Sequence, residues 1–222
     1  MNNIPMHLRI MIGVAAILAI WVVWSFALAS DLSPELEAIR QDGINGNIEG
    51  LAEKAETYPP KLAKTAIRTM APQGAKALPT LGSILLKNEK VELRAEAALT
   101  IAKAIKKATP AQRPLAKEMT KVLITALKEE KEAQVKVAIA TAIGNLRDYN
   151  NMESVLDLMG DDDPDVRRRA HVAATKIFGR KYEFNPKGTP AERKAAISGI
   201  RQAWAESRGH VGPYHDAYRG KE

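Results

Sequence analysis

No cysteine occurs among the 222 residues. Disulfide frameworks, thiolate metal sites, thiol nucleophiles and covalently attached c-type haem are thereby excluded. Aromatic residues are scarce, 5% against a hydrophobic fraction of 45%. The apolar mass is therefore mostly Ala, Leu, Ile and Val, which suits closely packed helices better than a β-sandwich. Runs of alternating apolar and polar residues are also missing. Gly-x-Ser-x-Gly does not occur, and the glycine-rich stretch from Gly43 to Gly50 lacks both the lysine and the preceding strand of a phosphate loop. Histidines stand only at 7, 171, 210 and 215, with no pair four apart on a helix. Asp161, Asp163 and Asp165 begin like a calcium loop, but Val166 takes the place of its glycine and Val172 that of its bidentate glutamate. Asp163 reads instead as a helix cap. No catalytic residue, cofactor or metal site is expected.

Charge is absent altogether from residues 10–29, IMIGVAAILAIWVVWSFALA. Twenty apolar residues in helix are about what a hydrocarbon core of ~30 Å requires. His7 and Arg9 precede the run, whereas Asp31 to Glu56 holds seven acids against two bases, so the basic flank should remain cytoplasmic. The expected layout is a single-pass anchor with residues 1–9 inside and the rest outside the cytoplasm, the periplasm if the cell is a Gram-negative bacterium. A competing reading is cleavage near Ala29, because Ala27-Leu28-Ala29 fits the small-residue pattern of a signal peptide and would release a soluble periplasmic protein.

Beyond residue 30 the chain reads as short helices punctuated by Pro, Gly, Asn and Asp. They are expected at 34–42, 46–57, 60–70, 73–87, 90–107, 110–128, 132–147, 150–159, 164–179 and 190–206. Thr109-Pro110-Ala111-Gln112 and Thr189-Pro190-Ala191-Glu192 are capping boxes with proline at the first helical position. Four helices align on Leu62, Leu93, Val135 and Val166, separated by 31, 42 and 31 residues. Each aliphatic is followed four positions later by Ala66, Ala97, Ile139 or Ala170, which lie on the same helical face. Such internal periodicity is the signature of a stacked repeat.

The stretch ALPTLGSILLKNEKVELRAEAALTIAKA and the turn Asp161-Asp162-Asp163-Pro164-Asp165-Val166-Arg167-Arg168-Arg169-Ala170 resemble the HEAT-repeat family. Lys136 and Leu62-Ala63 depart from the family's Val-Arg. Added to the apolar run at 10–29, the resemblance, which covers about residues 44–179, implies an all-α fold: an N-terminal transmembrane helix, then a short HEAT-type α-solenoid of antiparallel helix pairs. The implied division is a linker at 30–43, repeats at 44–179, a capping region at 180–206 and a flexible tail at 207–222. It also implies a non-catalytic scaffold or adaptor for proteins of an envelope assembly in the bacterial inner membrane. The alternative the family offers is a lyase or chaperone for bilins, or another binder of small ligands.

Residues 57–110 carry ten bases against three acids. Anionic headgroups or an acidic protein suit that charge better than nucleic acid, since no aromatic residue for base stacking occurs from 59 to 148. The candidate partner surface comprises Arg94, Lys103, Lys106, Lys107, Lys136, Arg167 and Arg168. For Arg94 and Arg167 the resemblance offers a structural role as well, a bond to an acid of a neighbouring turn.

Overall fold

A computed structural model describes residues 33–208. The expected anchor at 10–29 and its flank lie outside the described residues, as does the tail from 209 onward. Among the described residues no helix is long and apolar enough to cross a membrane.

Ten α-helices occur within that range, and no strand. They are α1 (Pro34–Asn45), α2 (Ile48–Thr57), α3 (Pro60–Thr69), α4 (Leu78–Lys87), α5 (Val91–Ile105), α6 (Arg113–Glu129), α7 (Ala133–Leu146), α8 (Met152–Leu158), α9 (Pro164–Phe178) and α10 (Pro190–Arg208). Short 3-10 segments, Ala71–Ala77, Pro110–Gln112 and Tyr149–Asn151, join successive units.

The units are antiparallel pairs, α2/α3, α4/α5, α6/α7 and α8/α9, stacked into an all-helical repeat solenoid. The second helices α3, α5, α7 and α9 form one continuous row, and Leu62, Leu93, Val135 and Val166 stand at equivalent places in it. Helix α5 packs extensively on α7, and α7 on α9, whereas α4 meets α6 more sparingly and α6 hardly touches α8. The closely packed row is therefore the inside of the curve and the splayed first helices are its outside.

Alanine makes the close packing possible. Ala97, Ala98, Ala102 and Ala104 in α5, Ala138, Ala140 and Ala142 in α7, and Ala170, Ala173 and Ala174 in α9 are all buried. At Gly144 the approach is tighter still, since a Cβ there would lie 2.8 Å from both Cα and Cβ of Ala173. Larger side chains fill the space between layers, with Leu81, Leu93, Leu123, Ile139 and Ile143 excluded from solvent.

Helix starts follow the chemistry of their caps. Asp163 accepts hydrogen bonds from the N–H groups of Asp165 and Val166 at 2.8 and 3.1 Å. Thr189 and Glu192 satisfy one another's backbone N–H groups at the start of α10. Gln112 accepts from the Thr109 N–H at 3.0 Å, but that box opens a 3-10 turn and α6 begins only at Arg113, with Pro114 in its first turn. The helix expected at 73–87 is likewise divided. Gly74 adopts φ 58°, ψ −134° within the 3-10 segment Ala71–Ala77, kinking it, and α4 begins only at Leu78. Helix α1 extends past its expected end to Asn45, closed by Gly46 at φ 66°. Helix α10 continues through residues 207 and 208, which had been expected in the tail.

The C-terminal end is finished with the few large rings. Trp204 of α10 stacks on Tyr149 at 5.8 Å and meets Phe178 edge-on at 5.1 Å, and Phe178 stacks on Tyr182 at 5.1 Å. Arg201 reaches from α10 to Glu153 and Asp157 of α8, each at 2.9 Å. Such a cover buries the face that the last described repeat would otherwise leave open.

Candidate functional site

Three of the basic residues singled out in the sequence are held by the fold. Arg94 donates through Nη1 to the carbonyls of Asn88 and Glu89 in its own turn, at 3.0 and 3.1 Å. Its Nε and Nη2 grip the Glu130 carboxylate at the next pair's turn, at 2.9 and 3.1 Å. Arg167 repeats the pattern: Nη1 donates to Asp161 and Asp162 carbonyls at 2.7 and 2.8 Å, and Nε to the Pro186 carbonyl at 2.6 Å. Lys136 spans the intervening junction, its Nζ 2.8 Å from Asp161. These contacts tie the second pair to the third, the third to the fourth, and the fourth to the segment that follows it. Burial pushes the Glu130 carboxyl up, but hydrogen bonds from Arg94 and from the backbone N–H groups of Glu132 and Lys131, with the guanidinium charge, bring it below the usual carboxylate range. The hydrogen bond to Glu130 raises Arg94 against the effect of burial, aided by the charges of Glu130 and Glu132.

The remaining four lie in the open. Arg168 pairs with exposed Asp165 one turn away at 3.0 Å, while Lys103, Lys106 and Lys107 are exposed and form no ion pair among the described residues. Lys103 belongs to the stripe that the second helices turn outward. That stripe comprises Lys61, Lys64 and Arg68 on α3, Leu99 and Lys103 on α5, Val137, Thr141 and Asn145 on α7, and Arg168, Val172 and Lys176 on α9. Spacings of three and four put each set on one helical face. Leu99, Thr141 and Val172 are equivalent across the repeats and make a largely apolar floor. Lys103, Asn145 and Lys176 form its edge, where Lys176 donates to Asn145 at 2.8 Å. Lys106 and Lys107 stand just beyond, at the end of α5.

Charge divides sharply between the two layers. Helix α3 has three cations and no acid, α5 two of each, α7 one cation, and α9 four cations against one acid, a net of +7 for the second helices. The first helices carry one cation and three acids in α2, one cation in α4, four cations and two acids in α6, and two acids in α8, a net of −1.

Two features of this face were not anticipated from the sequence. The extended segment after α9 folds back so that the Tyr182 carbonyl lies 2.9 Å from His171 Nε2. Beside this contact opens a groove of about 530 Å³, lined chiefly by His171, Val172, Lys176, Lys181, Tyr182, Glu183 and Phe184. Beside it, sharing Val172 and Lys176, is a furrow between α7 and α9 that contains Arg169. Arg169 Nε is buried with no hydrogen-bond partner, and no carboxylate pairs with this guanidinium among the described residues. Three successive arginines were the available signal. At about 100° per residue they must point three ways, and Arg167 and Arg168 take the turn and the solvent.

No protein-family model and no curated protein matches this chain. Among solved structures, a designed armadillo repeat protein in complex with the peptide (KR)4 is similar at 19% identity and a TM-score of 0.46, over 82% of each chain. A likeness of that size carries no argument about ligand or mechanism.

Proposed function

We propose that the protein is a membrane-anchored adaptor whose HEAT-type solenoid holds a segment of another protein against the row of second helices. The observation that supports this most is the outward stripe itself. An apolar floor, Leu99, Val137, Thr141 and Val172, runs across three consecutive repeats and is flanked by lysines without ion-pair partners. Extended surfaces of this kind are what solenoids offer to partners. The HEAT assignment is supported by two α-helices per unit rather than three, and by the guanidinium and ammonium contacts that link successive turns. Residues 10–29 would anchor the chain in the bacterial inner membrane with the repeats in the periplasm, where the client belongs to an envelope assembly.

The test is in-cell crosslinking of the full-length tagged chain, followed by solubilisation and mass spectrometry. Crosslinks from residues of α5, α7 and α9 to one set of membrane or periplasmic proteins are expected. Crosslinks confined to cytoplasmic proteins would overturn the topology, and none from the second helices would overturn the adaptor role. A small-ligand role, bilin-handling included, draws support only from the groove beside Phe184, whose volume is within the usual range for such sites. A ligand absorbing in the visible or near ultraviolet that remains with the purified chain would favour it.

A further inference from the structure

We infer that the partner segment is acidic and extended, and that it is anchored at the α7–α9 end of the row by a carboxylate on Arg169 and an apolar side chain in the groove beside Phe184. This rests on the adaptor reading above and specifies its partner.

Three observations converge on that end. The second helices hold a net +7 where the first helices hold −1, and with Arg94, Lys136 and Arg167 engaged in the turns it is Arg169, Lys176 and Lys181 that carry positive charge without an ion-pair partner at this end. Arg169 is poised in the furrow over Gly144 and Ala140 with its Nε buried and unpartnered. The rest of its guanidinium is part-exposed and has no carboxylate partner among the described residues, so an incoming carboxylate can engage it there with a charge-assisted bond. Adjoining the furrow, the groove presents Val172, Tyr182 and Phe184 as an apolar wall between Lys176 and Lys181, with Glu183 the one acid of its lining against those two cations. The site thus asks for an acid and an apolar side chain on one face of the segment, which an extended strand supplies from residues two apart. Three helices at roughly 8–10 Å spacing are spanned by about five to six extended residues. A bilayer is too flat to reach the inside of a curve, and a phosphodiester backbone has nothing to place against Val172 and Leu99.

The experiment places a photo-crosslinking benzoylphenylalanine at Val172 of the full-length chain in the cells that make it. A second copy of the chain carries the probe at Leu86, an exposed residue of first helix α4. The segment captured at 172 is sequenced by mass spectrometry. It is expected to carry more acids than bases, and its yield to fall at least fivefold in Arg169→Gln/Lys176→Gln and in Lys181→Gln, with unchanged thermal melting. Capture at 86 should not change. A neutral or basic segment at 172, an acidic one indifferent to both variants, a lipid or nucleic-acid adduct, or no adduct at all would overturn the inference. If 172 is silent while probes at Thr141 or Lys64 capture protein, the adaptor reading stands without this one. If those are silent too, both fall.

Discussion

Arg94 and Arg167, at equivalent positions of two repeats, each donate Nη1 to the carbonyls six and five residues before them. The rest of each guanidinium reaches into the following unit, so one side chain closes its own turn and holds its neighbour. A residue that does both is expected to matter for stability.

Arg94→Ala should destabilise the fold by on the order of 2–3 kcal/mol, because it leaves the Glu130 carboxylate, only 10% exposed, without its partner. Arg94→Lys should restore little, since an ammonium cannot make the two-point contact. Arg168→Ala, which removes a solvent-exposed pair, should change stability by less than about 0.5 kcal/mol. Urea denaturation of the three variants checks the ranking.

Acid sensitivity should arise from the same pair. The Glu130 carboxyl is held below its ordinary range in the folded chain, so its contribution is complete above an unfolded value of about 4.3 and is lost as pH falls through the folded value. Asp42 behaves alike: burial opposes ionisation, but bonds from Lys54 and Asn47 and the lysine charge outweigh it. Melting temperature should therefore drop as pH falls below about 4.5. Glu130→Gln should be less stable at pH 7 yet lose less on acidification. A wild-type slope retained in Glu130→Gln would count against this account.

Glycine to alanine should have opposite signs at two helical sites. At Gly144 the new methyl would meet Ala173 at 2.8 Å, and overpacking of roughly 1–3 kcal/mol exceeds the gain in helix propensity of about 1 kcal/mol. At Gly199 nothing lies within 4 Å, so propensity acts alone and the variant should be stabilised by up to about 1 kcal/mol. Melting temperatures of the two variants decide it.

Removing Trp204 should unseat the C-terminal cover. Its ring is 5% exposed and packs on Tyr149 and Phe178, so Trp204→Ala should cost about 3–5 kcal/mol. The other tryptophans are Trp21 and Trp24. With both changed to phenylalanine, Trp204 emission reports the cover directly, and a red shift at denaturant concentrations below the main helical transition is the expected signature of an end that opens first.

Much of the solenoid was legible because its information is periodic. Leu62, Leu93, Val135 and Val166 mark the second helices whatever their neighbours are, and Asp163 and Thr189 mark helix starts through local hydrogen bonds. The division at Gly74 was not legible, since nothing around it distinguishes a kinked glycine from a helical one until the 3-10 segment packs beside Lys107. Of the basic residues, Arg94 and Arg167 could be read two ways, and only the position of the facing turns, 36 residues away for Glu130, engages them within the fold. The groove was beyond reach, because it depends on a chain reversal that brings Tyr182 against His171.

The first pair differs from the others at one position. Ala63 stands where Arg94, Lys136 and Arg167 stand in later units, and the link from α3 to α5 is instead Arg68 to Glu96 at 2.6 Å, with Arg68 half exposed. Compliance in a chain of rigid pairs gathers at its weakest coupling, which here coincides with the glycine break at 74. Later units would move as one body, while the pair nearest the expected membrane segment would act as a swivel. The later units would keep their curvature as they reorient against the first pair, presenting a preset shape over a range of angles.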